Sequence, residues 1–152
     1  MQRALDFLQK NNEVAFATCD RNRPRIRVFQ IMKQEGTTLY FATSPQKDVY
    51  QELRTNPNVE ILAMANKISV RCIGNVQFTV EDAVQKWIYD NTPVLQRLYT
   101  AYDKLAYFAL PVQIIDYYDL NPTPPLFLHF DLLAGTEGKG FVGERFAKNG
   151  NQ

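Results

Sequence analysis

The chain has 152 residues, the length of one ordinary domain, enough to bury a single sizeable core and too few for two. Seventeen Lys and Arg stand against sixteen Asp and Glu, so a net charge of +1 supplies no broad positive field for a nucleic acid or an anionic membrane. No apolar run is long enough to span a bilayer, and the opening MQRALDFLQKNNE lacks a secretory pattern. The single histidine, His129, and two distant cysteines, Cys19 and Cys72, do not make up a usual zinc site. The expectation is a soluble, cytoplasmic domain without a metal that, if it is an enzyme, borrows its reactivity from a cofactor.

Ala4, Leu5 and Leu8 recur at helical spacing and predict a short amphipathic helix ending at Asn11 and Asn12. Val14 to Cys19, Ile26 to Lys33 and Thr38 to Thr43 are rich in β-branched and aromatic residues; separated by DRNRP and KQEG, they read as an antiparallel meander. A helix is expected from Pro45 to about Thr55, ended by Asn56-Pro57 because the residue before proline is driven out of the helical region. Strands follow at Val59 to Met64 and Lys67 to Thr79. In the second, Ile68, Val70, Cys72, Val76 and Phe78 alternate with Ser69, Arg71, Asn75 and Gln77, while Gly74 marks a bulge or bend.

From Thr79, with Asp82 three residues on as in a capping box, a helix is predicted through Val84, Trp87 and Ile88 to about Asn91. Leu95, Leu98 and Tyr102 continue helical spacing after Pro93. Two more strands, Ala106 to Asp119 and Leu126 to Leu132, flank LNPTPP. Strands with inserted helices, in no regular βαβ order, predict a mainly β fold with flanking helices, a small antiparallel six- or seven-stranded barrel. Residues 1–133 are expected to form this single domain, and 134–152 a glycine-rich tail that is partly loose.

The segment Thr43-Ser44-Pro45-Gln46-Lys47 joins a strand to a helix. With Ser44 as N-cap and Pro45 as the first helical residue, free backbone N–H groups, two hydroxyls and the Lys47 ammonium gather where a phosphate would dock; the plain alternative is a capped helix with a solvated lysine. In RPRIRVF, alternation puts Arg25, Arg27 and Phe29 on one face and Ile26, Val28 and Gln30 on the other. Arg27 either pairs with a carboxylate of the fold or offers its planar fork to a phosphate. Read across the KQEG hairpin, it lies near the end of the Leu39 to Thr43 strand, converging with Lys47.

The ordered set PRIRVF, LYFATS, Lys47, NPNVEIL and ISVRCIGNV, over about residues 5 to 80, resembles the FMN-binding split barrel of the pyridoxamine 5′-phosphate oxidase-like proteins. The resemblance implies that Arg27, Thr43, Ser44 and Lys47 bind the FMN phosphate, that Phe29, Gln30 and nearby Ala42 meet the isoalloxazine, and that Ser69 faces the flavin. It further implies a homodimer with two flavin sites in the subunit interface, each built from both chains and acting on a small-molecule substrate. The ten Phe and eight Tyr, with clusters such as AYFAL and IIDYYDL, agree with self-association, although core packing is the commoner use of such residues.

Two departures remove support for pyridoxamine 5′-phosphate itself as substrate. Gln46 stands where those oxidases usually carry an arginine, and the tail lacks their arginine and tryptophan motif, Trp87 being inside a predicted helix. The alternatives are a flavin-binding or sensory module without turnover, or a barrel holding haem or a deazaflavin; a lone imidazole disfavours haem. His129 in LFLHF reads as a structural histidine on a strand, and both cysteines read as small buried hydrophobes. Residues 138–143 match GxGxxG, yet with nine residues after Gly143 a dinucleotide-binding crossover is not expected.

Overall fold

Residues 1–147 are described by the computed structural model of the protein, and the last five residues of the expected tail lie outside this range. The opening helix α1 (Gln2–Lys10) turns Ala4, Leu5 and Leu8 inward. Strands β1 (Glu13–Asp20) and β2 (Arg23–Gln30) form a hairpin whose turn residues Arg21 and Asn22 both take positive φ, 50° and 65°. That pairing matches the twist of two antiparallel strands. The same device, at Asn66 and Lys67, joins β5 (Asn58–Ala65) to β6 (Ile68–Asn75).

Between the two hairpins the chain forms β3 (Lys33–Glu35), β4 (Thr38–Thr43) and α2 (Asp48–Thr55). Helices α3 (Asp82–Asn91) and α4 (Pro93–Leu98) precede the long β7 (Ala106–Asp119), and β8 (Leu126–Asp131) and β9 (Thr136–Lys139) follow it. Among the described residues the nine strands pair antiparallel, in the order β2-β1-β5-β6-β7-β4-β3, with β8 on β7 and β9 on β8. The expected count of six or seven is therefore low by the short β3 and by β9.

The expected meander is corrected. The run Ile26 to Lys33 breaks at Ile31 and Met32, where Ile31 N–H donates to Asn12 O (2.7 Å) and Met32 N–H to Tyr40 O (2.9 Å). The chain thus crosses from one edge of the sheet path to the other, and β2 and β4 do not pair. The first half of β7 pairs with β4 and the second half with β6, so one strand serves both parts of a split barrel. The register shifts between Ile73 and Gly74; a Cβ on Gly74 would sit 2.7 Å from the Pro111 carbonyl oxygen, so a side chain there forces the backbone apart.

Phe16, Phe41 and Phe108, none with exposed surface, fill the barrel with Phe29. α1 and α2 close it with Leu5, Leu8, Val49 and Leu53. A second cluster packs Ile88 and Leu95 of α3 and α4 on Ala42 and Tyr107, on the other face of β4 and β7. Three boundaries differ from expectation. α3 starts at Asp82 with Glu81 as N-cap and no side-chain cap, so the Thr79 capping box does not form. The strand after Lys67 ends at Asn75, leaving only a Gln77–Ala109 bridge, because the bulge turns the chain away from β7. α2 starts three residues late, as described below.

Candidate functional site

The corner between β4 and α2 carries the hydroxyl and lysine set. Pro45 to Lys47 form a turn, not the first turn of the helix: Ser44 Oγ accepts the Gln46 N–H (3.2 Å) and Ser44 O accepts the Lys47 N–H (3.1 Å). A serine hydroxyl that bonds the backbone two residues on competes with helix nucleation, which moves the N-cap from Ser44 to Lys47. The first N–H groups of α2 lack intrahelical acceptors, as at any helix start, and Asp48 in the first turn sets a carboxylate against them. Thr43 is buried, and its Oγ1 has no hydrogen-bond partner. A buried hydroxyl left unsatisfied is unusual in a native fold and calls for a polar partner atom, from water or a ligand; Gln34 Oε1 shares this state. The Lys47 side chain is exposed.

Arg27 is not reached by the route the sequence implied. It extends from the inner face of β2 to α2, donating from Nη2 to Glu52 Oε1 (2.8 Å) and from Nη1 to Thr18 Oγ1 (3.0 Å). Thr18 in turn donates to the same carboxylate (2.7 Å). Burial pushes the Glu52 carboxyl up, but the Thr18 and Arg27 hydrogen bonds and the Arg27 charge outweigh it and hold the group below its usual value. Outside this pair, a cleft of about 640 Å³ opens between the β1–β2 turn and α2, lined by Arg25, Asp48 and Glu52 among others. Five successive antiparallel pairings separate β2 from β4, so the two strands run in opposite senses. The Phe29 and Phe41 rings meet at 6.0 Å, and Arg27 and Thr43, each two residues further, point to the end of the barrel that α2 covers.

Arg27, Thr43, Ser44 and Lys47 therefore gather around α2, with Phe29 beside them, half-buried on Phe16 at 4.8 Å. Gln30 lies on the opposite face of β2 from Phe29, and Ala42 faces α3 and α4. Ser69 is apart from all of these. Thr43 pairs with Ala106 and Ser69 with Tyr118, at the two ends of β7. At about 3.3 Å per residue that separation is roughly 40 Å of strand, and Ser69 is on the outer face.

Two carboxylates escaped the sequence reading. Glu52 is 9% exposed and Asp116 4% exposed, and each holds an arginine, Arg27 or Arg71. Glu52 follows Val49 by three positions on α2, a spacing that flags its buried face; no local signal marks Asp116. Cys72 is buried and its thiol is pushed up to about 12 by burial, with the Asp116 charge adding to it, whereas Cys19 is only half-buried.

Among solved structures, a NimC/NimA family protein from Clostridium acetobutylicum superposes with a TM-score of 0.71 at 22% identity, covering 86% of this chain and 93% of the other. A pyridoxamine 5′-phosphate oxidase-related, FMN-binding protein from Nostoc punctiforme gives 0.65 at 14% identity, covering 91% and 93%. An FAD-binding protein from Mesorhizobium loti gives 0.60 at 16%, covering 75% and 90%. No curated protein matches the chain. The model of the pyridoxamine 5′-phosphate oxidase family matches residues 1–107. With that match over most of its length and a half-barrel of antiparallel strands flanked by helices, the chain belongs to the pyridoxamine 5′-phosphate oxidase family and has its split-barrel fold.

Proposed function

We propose that the protein is a cytoplasmic, FMN-dependent oxidoreductase that works as a homodimer on a small molecule. The observation that carries this reading is the buried, unpartnered Thr43 hydroxyl at the corner where Ser44, the exposed Lys47 and the start of α2 meet. A terminal phosphate satisfies that hydroxyl and pairs with the exposed Lys47 ammonium. FMN is favoured over FAD because Thr43, Ser44 and Lys47 lie on one short corner, which suits a single terminal phosphate. Arg27 would add its remaining N–H groups to the phosphate, while the β2 backbone at Phe29 and Gln30, with Ala42 nearby, would border the ring.

Bound flavin supplies hydride or electron transfer, so the chain needs no nucleophile of its own. The protein's part is to fix the ring and exclude water, and Glu52 and Thr18 hold Arg27 in place for it. Ser69, at the far end of β7, joins such a site only if a second chain is present. Ile26 and Val28, each 73% exposed, and Met64, 74% exposed, form an apolar strip on the outer face that bears Ser69. A strip of that kind is a natural surface for a second copy.

Purified protein is expected to be yellow and to release flavin on denaturation. Lys47→Ala should weaken FMN binding roughly 10- to 100-fold, the worth of one charge-assisted contact, measured by flavin fluorescence on reconstitution. A colourless protein that takes up no FMN, or a Lys47→Ala variant with unchanged affinity, would overturn the reading. Val28→Glu is expected to convert a dimer to a folded monomer in light scattering. A wild-type chain that is already monomeric removes the two-chain site.

A further inference from the structure

On the outer face of the sheet, Leu62, Arg71, Asp116, His129 and Gly138 are successive cross-strand partners from β5 to β9. The neighbours of Asp116 along β7, Ile115 and Tyr117, turn into the core, so Asp116 points outward, yet it is only 4% exposed. Its two partners cover it. Arg71 donates to Oδ2 from Nη2 (2.6 Å) and Nε (3.2 Å), and His129 Nδ1 lies 2.6 Å from Oδ1. A carboxylate bound on both oxygens in this way fixes the Nδ1–H tautomer and the ring orientation of the histidine. The opposite ring nitrogen, Nε2, makes no hydrogen bond to any described residue.

This arrangement does nothing for the core, which lies on the other side of the sheet. It holds two polar groups, each with about half its side chain exposed, at fixed angles over a cleft of about 380 Å³. Tyr118, Phe127 and Lys139 line the same cleft, and the Tyr118 and Phe127 rings meet edge to face at 4.8 Å. The opening thus offers aromatic walls, the free Nη1 edge of the Arg71 guanidinium, and a hydrogen-bond acceptor at His129 Nε2. A planar ring with an acid group and a ring O–H matches all three.

We propose that this cleft binds a small hydroxylated aromatic carboxylate, its acid group on the Arg71 guanidinium, its ring O–H donating to His129 Nε2, and its ring against Tyr118 and Phe127. Ser69 precedes Arg71 by one alternation on the same face of β6, so the cleft adjoins the residue assigned to the flavin. That this ligand is the substrate rests on the flavin reading; that it binds does not. His129 is then a specificity-determining residue, held in place by Asp116.

The test is calorimetric titration of the purified protein, with whatever cofactor it retains, using three probes: 4-hydroxybenzoate, benzoate and 4-hydroxybenzyl alcohol. Wild type should bind 4-hydroxybenzoate at least about tenfold more tightly than either comparator, the effect of one good hydrogen bond or ion contact. His129→Asn, whose amide takes the place of Nδ1 beside Asp116 and leaves no acceptor at the Nε2 position, should lose the preference over benzoate and keep the preference over the alcohol. Arg71→Met should show the reverse pattern. No binding, equal affinity for the three probes, or full preference in His129→Asn would overturn the assignment. A colourless protein that shows the preference removes the flavin reading and leaves this site standing; a yellow protein without it does the opposite.

Discussion

Phe16→Ala is expected to lower the unfolding free energy by about 3–5 kcal/mol, read as a fall in the guanidinium midpoint at unchanged slope. Phe16 has no exposed surface, and its ring lies 4.8 Å from Phe29, 5.3 Å from Phe41 and 6.0 Å from Phe108. These four rings come from β1, β2, β4 and β7, and β2 and β4 have no backbone hydrogen bonds between them. Side-chain packing alone therefore closes this side of the barrel, and the missing ring leaves a cavity that the rigid strands collapse into poorly. Against a usual domain stability of about 5–15 kcal/mol the loss is large. Phe16→Leu, which keeps most of the volume, should lose less than half as much. A loss below about 1.5 kcal/mol for Phe16→Ala would show that the rings are not what holds the two edges together.

Such closure is hard to read from sequence because it joins strands far apart in the chain. What is local was legible. The alternation from Ile68 to Cys72 gave the correct face of β6, Gly74 marked the bulge, and Asn56-Pro57 ended α2 at its observed residue. Strand neighbours were not legible: the short turn KQEG joins β3 to β4, and nothing in it tells that β2 has already left the other edge. The start of α2 was misplaced for a different reason. Ser44 and Pro45 satisfy the rules for a helix start, but the Ser44 hydroxyl bonds the Gln46 N–H and builds a turn first. Arg27 meets α2 at Glu52, five residues beyond Lys47, a contact that the hairpin argument does not contain. His129 on a strand was read as structural; its bond to Asp116 depends on the register between β7 and β8, which only the folded sheet specifies.

The Arg27–Glu52 pair separates what the fold needs from what a ligand would need. Arg27→Met should destabilise by about 2–3 kcal/mol at neutral pH by leaving the Glu52 carboxylate buried with Thr18 alone. The figure sits at the low end for buried pairs because Arg27 keeps 26% of its side chain exposed. The folded Glu52 value is depressed below 4.5, so its contribution is fully present above that pH and is lost as the pH falls through the folded value. In Arg27→Met, burial is no longer outweighed by the arginine, so Glu52 protonates at a higher pH than in wild type. The stability gap between the two proteins should therefore begin to shrink as the pH falls through the Glu52 value of the variant, which lies above that of wild type, and nearly close where both are protonated. Glu52→Gln keeps a partner for Thr18 and leaves Arg27 with all its donors. If Arg27 holds a flavin phosphate, Glu52→Gln binds FMN at least as well as wild type, and Arg27→Met loses affinity even when combined with Glu52→Gln. If the arginine serves only the fold, the double variant recovers both stability and FMN binding, and Arg27 leaves the set of phosphate ligands.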